Sequence, residues 1–246
     1  MSYIHGLHAV TALLEGSPDR VRALYVQNGR RDQRIGRLMT LAQVSGIRFQ
    51  VVDRRWLDSR AEGPHQGVVA DCHELRVAQE ADLELHWPLL PTPLLLLVLD
   101  GVTDPRNLGA CLRSANAAGV QVVLLPKRNS APLSAVALKA AAGAAEDLFI
   151  VEVTNLARRL AWLKEQGVWI IGADGQAEHA HTEPDFSGSV ALVMGGEEKG
   201  MRRLTREHCD ELVRIPMAGA VESLNVSVAT AVILFEIARK RSLQAP

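Results

Sequence analysis

The sequence predicts an α/β protein in which a parallel sheet, covered by helices on both faces, is preceded by a small α/β domain. Hydrophobic residues make up 48% and charged residues 22% of the 246 residues, which is ordinary for a globular protein with a sizeable core. From residue 94 onward, continuous apolar segments alternate with helical patterns, as expected for strands that are buried on both faces. The chain is longer than a typical domain of roughly 100 to 150 residues, so two domains are expected.

Residues 1–72 form the first expected domain, a small alternating α/β unit. This stretch contains ten arginines, no lysine and seven acids. Guanidinium groups suit phosphate oxygens, although a codon bias toward arginine would give the same composition. The expected elements are helices at residues 10–14, 32–44 and around Trp56, and strands at residues 21–26, 47–52 and 67–70.

Residues 73–91 are expected to form a linker that contains about one helical turn. They hold four acids and one arginine, and three prolines lie between Glu74 and Pro93. No hydrophobic periodicity is sustained here, which is typical of a connecting segment. The second domain is therefore expected to cover residues 92–246.

The second domain begins with an apolar strand at residues 94–99 and a helix at residues 108–118. The same alternation continues to the end of the chain and predicts a parallel sheet. The further expected strands are residues 120–125, 149–153, 168–171, 190–194 and 212–216, and the further expected helices are residues 134–145, 156–166, 202–208 and 226–241.

The sequence lacks the motifs that usually indicate a nucleotide-dependent oxidoreductase, a hydrolase, a kinase or a metalloenzyme. No GxGxxG follows the first strand of the second domain, and no Walker loop, HExxH or GxSxG motif is present. Cys72, Cys111 and Cys209 lack CxxC spacing, so we expect reduced thiols and no metal site. The longest apolar run is far shorter than the roughly 20 residues of a membrane span, so we expect a cytosolic protein with no membrane segment.

Two polar clusters follow strands of the expected sheet, at the ends where open α/β sheets place their sites. In residues 107–114, Asn107 is typical of a helix N-cap, and Arg113 can lean back toward the first helical turn. In residues 195–200, three glycines allow main chain to lie against a flat ligand, and Glu197 lies at the mouth of the sheet. Ordinary caps and turns explain either cluster when it is taken alone.

A third polar cluster lies in residues 215–229, after the last expected strand. Ser223 and Asn225 are both candidate caps for the final helix, and two candidates are more than one helix start requires. The preceding loop is apolar and contains glycine.

Taken together, the three clusters resemble the SpoU class of trefoil-knot RNA 2′-O-ribose methyltransferases. The class has the motifs NxGxxxR, GxExxG and, after an IPM segment, SLNVSVA; here they read NLGACLR at residues 107–113, GGEEKG at 195–200 and SLNVSVA at 223–229. The resemblance covers nearly the whole chain and implies a knotted parallel-sheet domain. The first domain, with GPHQGV at residues 63–68, resembles the substrate-binding domain of members that methylate a guanosine ribose in the peptidyl-tRNA loop of 23S ribosomal RNA.

The resemblance implies S-adenosylmethionine as the methyl donor and no metal. The donor would be held by main-chain groups of the loops that contain Gly195, Ile215 and Leu224. Main-chain donors and acceptors packed between apolar side chains can read adenine, which agrees with the composition of these loops.

The resemblance also assigns activation of the ribose 2′-hydroxyl to Arg113, helped by Asn107, Glu197, Ser223 and Asn225. A guanidinium is normally always charged, so an arginine base is chemically awkward. Two roles therefore stay open for Arg113. It acts either as a base when desolvated, or as a cation that lowers the hydroxyl pKa and clamps the adjacent phosphate while Glu197 orients the hydroxyl.

The implied partners are ribosomal RNA and a second copy of the chain. An apolar final helix supports a homodimer, although burial in the core explains its residues nearly as well: Val226, Val228, Val232, Ile233, Phe235 and Ile237. Two alternatives are the same chemistry on tRNA, whose enzymes resemble only the second domain, and a ribosome-associated RNA-binding protein without catalysis. Intact Asn107, Arg113, Glu197 and Asn225 count against the latter, because binding RNA requires neither an acid nor donor loops.

Overall fold

The computed structural model describes residues 2–30, 32–61, 63–73 and 77–244. These residues form a four-stranded and an eight-stranded sheet. Within the described ranges, no helix is long and apolar enough to cross a membrane.

The four-stranded sheet is mixed and has the strand order β1-β4-β2-β3. Helix α2 begins after Asp32, whose carboxylate accepts the backbone N–H groups of Arg34 and Ile35 as an N-cap. Helices α1 and α2 bury their apolar stripes against one face of this sheet. The elements are β1 (Ser2–His5), α1 (Leu7–Gly16), β2 (Val21–Gln27), α2 (Gln33–Val44), β3 (Phe49–Val52), α3 (Arg54–Asp58) and β4 (Val68–Cys72).

The eight-stranded sheet is parallel throughout, which confirms the predicted fold class. Its strand order is β10-β12-β9-β11-β6-β7-β8-β5. The strands are β5 (Ala78–Gln79), β6 (Leu95–Asp100), β7 (Val122–Pro126), β8 (Phe149–Val153), β9 (Trp169–Ala173), β10 (His179–Ala180), β11 (Val190–Gly195) and β12 (Glu211–Arg214). The helices are α4 (Glu80–His86), α5 (Pro105–Ala117), α6 (Ala135–Ala141), α7 (Leu156–Glu165), α8 (Arg203–Glu207) and α9 (Val226–Gln244).

Alternate residues of each strand point to opposite faces of this sheet. Because both sets are apolar, both faces are covered by helices. Leu97 faces a core formed with α5, α6 and α9. Its neighbour Val98 faces a second core, formed with α4 and α7. Burying such a side chain contributes roughly 1.5–3 kcal/mol, so a strand that is apolar on both faces is stable only in this central position.

The segment at residues 73–91 differs from the linker that we expected, and residues 74–76 lie outside the described residues. Ala78 and Gln79 pair with β8 as an edge strand, and Leu83 of α4 is fully buried. Glu80 accepts the backbone N–H of Thr154 at 2.6 Å. The sequence of this segment shows no hydrophobic periodicity because its strand has only two residues and its helix buries only one leucine.

The two sheets belong to units that touch each other through α1 and β1 on one side and α6 with the 3-10 turn Ala144–Glu146 on the other. Arg20 forms an ion pair with Glu146, and their side chains are only 10% and 4% exposed. A Cβ atom added to Gly143 would lie 2.5 Å from that of Ala12, so only glycine permits this approach. The first unit is therefore packed directly against the helices of the second.

Candidate active site

A cavity of about 430 Å³ lies at the carboxyl ends of β9, β11 and β12. This volume is within the range of about 300–1,000 Å³ that is typical of small-molecule sites. Six of the residues singled out in the sequence line it: Gly195, Glu197, Ile215, Ser223, Leu224 and Asn225. Met217 of the third cluster lines it as well, and sequence reasoning missed Asp174 and Gly175, which also line it. The only available signal for these two is an Asp-Gly pair directly after a buried strand.

Gly195 and Gly196, at the end of β11, allow close packing of the main chain. A Cβ atom on Gly195 would lie 2.2 Å from the backbone nitrogen of Met201, and one on Gly196 would lie 2.3 Å from the carbonyl oxygen of Gly101. These glycines therefore allow main chain to pack against main chain, and both also line the cavity. Gly175, by contrast, has no atom within 4 Å of an added Cβ and faces open space beside the cavity.

A buried ion pair that sequence reasoning missed holds the same loop in place. Asp100, at the end of β6, is fully buried. Its carboxylate accepts the backbone N–H of Arg202 at 2.9 Å and the Nε–H of the same residue at 2.6 Å. Because a buried carboxylate needs such partners, β6 is joined firmly to the loop that follows β11.

Asn107, Glu197 and Asn225 form a hydrogen-bonded cluster at the mouth of the cavity. The Nδ2 group of Asn107 donates to Glu197 Oε1. The Nδ2 group of Asn225 donates to Asn107 Oδ1 at 3.2 Å and to Glu197 Oε1 at 3.3 Å. The Asn225 amide is oriented by Ser227, whose backbone N–H and hydroxyl both donate to Asn225 Oδ1, at 2.9 and 2.6 Å. Three loops that are remote in sequence are thus joined at one carboxylate.

The sequence suggested Asn107 as the N-cap of its helix, but another residue takes that position. Helix α5 begins at Pro105, and the Asp104 carboxylate caps it by accepting the backbone N–H of Arg106 at 2.7 Å. Proline suits the first helical position because its missing N–H would have no intrahelical partner there. The Asn107 side chain is therefore free to bind Glu197.

The structure does not bring all the candidate residues to the cluster. Ser223 is exposed and lines the cavity, and no hydrogen bond from its side chain is seen within the described residues. Arg113 is exposed on α5 and, within the part of the chain that the structure describes, neither lines the cavity nor bonds to the cluster. Asn225, in contrast, both caps α9 and contributes to the cluster.

The three cysteines are unsuited to nucleophilic chemistry. Burial raises the pKa of the Cys111 thiol to about 11, with a further contribution from the nearby charge of Glu197. Burial also raises the pKa of Cys72 and Cys209 to about 12. Only the thiolate is reactive, so these thiols are inert near neutral pH. Within residues 2–30, 32–61, 63–73 and 77–244, no group of three or more His, Cys, Asp or Glu residues could hold a metal ion.

Curated proteins similar to this chain are rRNA methyltransferases. The protein named 23S rRNA (guanosine-2′-O-)-methyltransferase RlmB from Yersinia pestis is 55% identical over 243 residues, which are 98% of this chain and 98% of that protein. The protein of the same name from Escherichia coli K12 is 51% identical over 240 residues, which are 97% of this chain and 98% of that protein.

Solved structures share the fold. An RNA 2′-O ribose methyltransferase is 25% identical, with a TM-score of 0.77 over 98% of this chain and 88% of that one. The SpoU methyltransferase AviRb from Streptomyces viridochromogenes, solved with AdoMet, has a TM-score of 0.81 over 98% of this chain and 90% of its own. AviRb is 22% identical to this chain, so it supports the fold alone.

Family models match both units. The model for RNA 2′-O ribose methyltransferase substrate binding matches residues 3–78. The model for the SpoU rRNA Methylase family matches residues 94–235, which is more than half of the chain. The chain therefore belongs to the SpoU rRNA methylase family.

Proposed function

We propose that this protein transfers the methyl group of S-adenosylmethionine to the ribose 2′-hydroxyl of a guanosine in the peptidyl-tRNA loop of 23S ribosomal RNA. The observation that carries the proposal is the Asn107–Glu197–Asn225 cluster at the mouth of the cavity. The high identity to RlmB proteins over nearly the whole chain supports a guanosine of 23S rRNA as the target.

The cavity fits S-adenosylmethionine by its chemistry. Gly195, Ile215 and Leu224 line it, together with the apolar residues Met194 and Ile233. Such a surface can read an adenine through hydrogen bonds and hold it between apolar groups. The acidic residue Glu222 also lines the cavity, and its negative charge complements the positive charge of a sulfonium. When bound, S-adenosylmethionine supplies an electrophilic methyl group.

Glu197 is placed to act on the hydroxyl that attacks this methyl. Both amide hydrogen bonds from Asn107 and Asn225 fall on Oε1. Within the described residues no hydrogen bond falls on Oε2, so this oxygen is open to accept the proton of the ribose 2′-hydroxyl. Holding the hydroxyl in line with the methyl supplies much of the acceleration, and accepting its hydrogen bond raises its nucleophilicity.

For Arg113, the structure favours the role of a cation. Its side chain is exposed on α5, whereas the role of a base was expected only for a desolvated guanidinium. Arg113 is then suited to bind the phosphate next to the target ribose. Ser223, also exposed at the cavity, would contact the RNA or the ribose.

Ribosomal RNA is favoured over tRNA as the substrate. A TrmH/SpoU tRNA modifying enzyme of A. aeolicus is 29% identical with a TM-score of 0.57, and the likeness covers only 67% of this chain. The curated rRNA methyltransferases match both units. The unit at residues 1–72 would thus select rRNA, and the unit at residues 92–246 would carry out catalysis. Action on ribosomal RNA in turn favours a cytoplasmic location.

We also propose a homodimer with a knotted catalytic unit. Val226, Ile233 and Ile237 of α9 are buried in the core, so they do not support dimerisation. Val228 and Phe235 are 48% and 51% exposed and lie on one face of α9 together with Val232. This apolar stripe is the surface on which a second copy would pack. Sedimentation at micromolar concentration should give a dimer, and a monomer would refute this part of the proposal.

The central test is methylation with radiolabelled S-adenosylmethionine. A 23S rRNA fragment that contains the peptidyl-tRNA loop should be labelled on one guanosine ribose, and tRNA should not. Labelling of tRNA alone would establish the alternative substrate. Normal RNA binding without label in either RNA would establish the non-catalytic alternative.

A further inference from the structure

We propose that Arg106, Lys127 and Arg128 form a surface that binds the phosphate groups of the single-stranded RNA flanking the target nucleotide. These three residues constitute the basic edge of the sheet. The inference rests on the proposed function and adds to it a route for the RNA beyond the catalytic cluster.

The basic edge lies beside the catalytic cluster. Arg106 is in the first turn of α5, next to Asn107. Lys127 and Arg128 directly follow β7, which pairs with β6 in the parallel sheet, so they share the carboxyl edge with the catalytic loops. The β7 loop is fixed to the β6 loop by a hydrogen bond from the Ala131 N–H to the Val102 carbonyl at 2.8 Å. A surface held in this way is ordered before RNA binds.

The charges of the basic edge are not neutralised by the protein. All three side chains are exposed, and none of them takes part in an ion pair within the described residues. Neighbouring arginines of α8 differ, because Arg203 pairs with Glu207 at 2.5 Å and Arg206 with Asp174 at 3.1 Å. Exposed charges without partners attract a polyanion more strongly than charges that are already paired.

Three acids on the same edge, Asp104, Asp100 and Glu197, are committed elsewhere. Asp104 caps α5, and its carboxylate accepts the Arg106 backbone N–H. Asp100 is buried and paired with Arg202. Glu197 belongs to the catalytic cluster. The N-terminus of α5, a helix of 13 residues, adds its own positive potential beside Arg106.

A flexible single strand is the occupant that fits this arrangement. The 2′-hydroxyl must meet the methyl donor at the cavity mouth beside Glu197, and a nucleotide of a single-stranded loop has the backbone freedom to bring it there. Since Arg106 adjoins Asn107, a phosphate next to that ribose lies near Arg106, and the following phosphates continue over β7 toward Lys127 and Arg128. Such contacts grip the backbone and carry no sequence information.

The test compares two double variants of the full-length protein. Lys127→Gln with Arg128→Gln removes two charges from the basic edge. Lys164→Gln with Arg239→Gln removes one lysine and one arginine from the opposite edge of the sheet, at the ends of α7 and α9. Arg106→Gln is added to the first variant in a third protein. Thermal unfolding should show that all of them fold.

We expect the basic-edge double variant to raise the KM for the 23S rRNA fragment roughly tenfold and to leave kcat within about twofold. For single strands, each lost phosphate contact lowers the slope of log affinity against log salt by about 0.7, so the slope should fall by about 1.4. Arg106→Gln should lower it further, again by about 0.7. The affinity for S-adenosylmethionine and the behaviour of the control variant should stay those of the unsubstituted protein.

An unchanged KM and salt slope would overturn the basic edge, as would an equal change in the control variant. A loss of kcat at unchanged KM would also overturn it, because it would place these cations in the chemical step. If the unsubstituted protein labels rRNA while the variants bind RNA normally, only this inference fails. If the unsubstituted protein labels no RNA, the proposed function itself fails.

Discussion

The side-chain amide of Asn107 donates a hydrogen bond to the carboxylate of Glu197, which lies 90 residues further along the chain. Asn225, 118 residues after Asn107, bonds to both of them. The helix start after β6, the loop after β11 and the start of α9 therefore have to fold together before the Glu197 carboxylate is held in place.

Glu197→Gln should reduce turnover by roughly 10²- to 10⁴-fold, which is the usual contribution of a positioned acid or base. Glutamine keeps the size of the side chain but cannot accept a proton from the ribose hydroxyl. Glu198→Gln, at the adjacent exposed acid, is the matched control and should be near normal. Single-turnover methylation measures both. Equal losses in the two variants would mean that only the net charge of the loop matters.

Arg113→Ala should reduce turnover by roughly 10²- to 10³-fold, with little change in stability because the side chain is exposed. Arg113→Lys should recover only part of this loss, since lysine keeps the charge but cannot form a bidentate contact with phosphate. Methylation rates at saturating donor and RNA compare the two variants with the unsubstituted protein. Near-normal activity of the lysine variant would show that a point charge is sufficient.

Gly195→Ala should lower the free energy of unfolding by about 1–3 kcal/mol and weaken donor binding, because the new methyl group overlaps the backbone at Met201. Gly175→Ala, at another glycine of the cavity wall, should fold normally because its Cβ faces open space. Calorimetric titration with S-adenosylmethionine, together with thermal unfolding, compares the two. Full stability of Gly195→Ala would contradict the packing argument.

Glu146→Ala should destabilise the protein by about 3–5 kcal/mol, because it leaves the buried charge of Arg20 without its partner between the two units. The control is Glu207→Ala, which removes an exposed pair with Arg203 and should cost less than about 1 kcal/mol. Denaturant unfolding followed by tryptophan fluorescence measures both losses. If the two are equal, the ion pair at the contact does not stabilise it.

The central sheet could be predicted from the sequence because strands buried on both faces are continuously apolar, as in residues 94–99. Once these strands were recognised, the three motif loops could be placed at the strand ends that they follow. The start of α5 was misplaced, because Asp104 and Pro105 outweigh Asn107 as start signals only once the loop geometry is known. The role of Gly195 was also beyond prediction, since its neighbours at Gly200 and Met201 depend on how the loop folds back.

The order of strands in the large sheet sets a distance that the substrate has to span. Glu197 follows β11, and the first unit packs against α6 and the turn Ala144–Glu146, which lead into β8, three strands away. Neighbouring strands are about 4.8 Å apart, so the offset from β11 to β8 alone is about 14 Å. The turn also precedes β8 and lies at the amino edge of the sheet, whereas Glu197 lies at the carboxyl edge, so an RNA that reaches both places has to span more than this offset. An oligonucleotide too short to span this distance would therefore gain no affinity from contacts with the first unit.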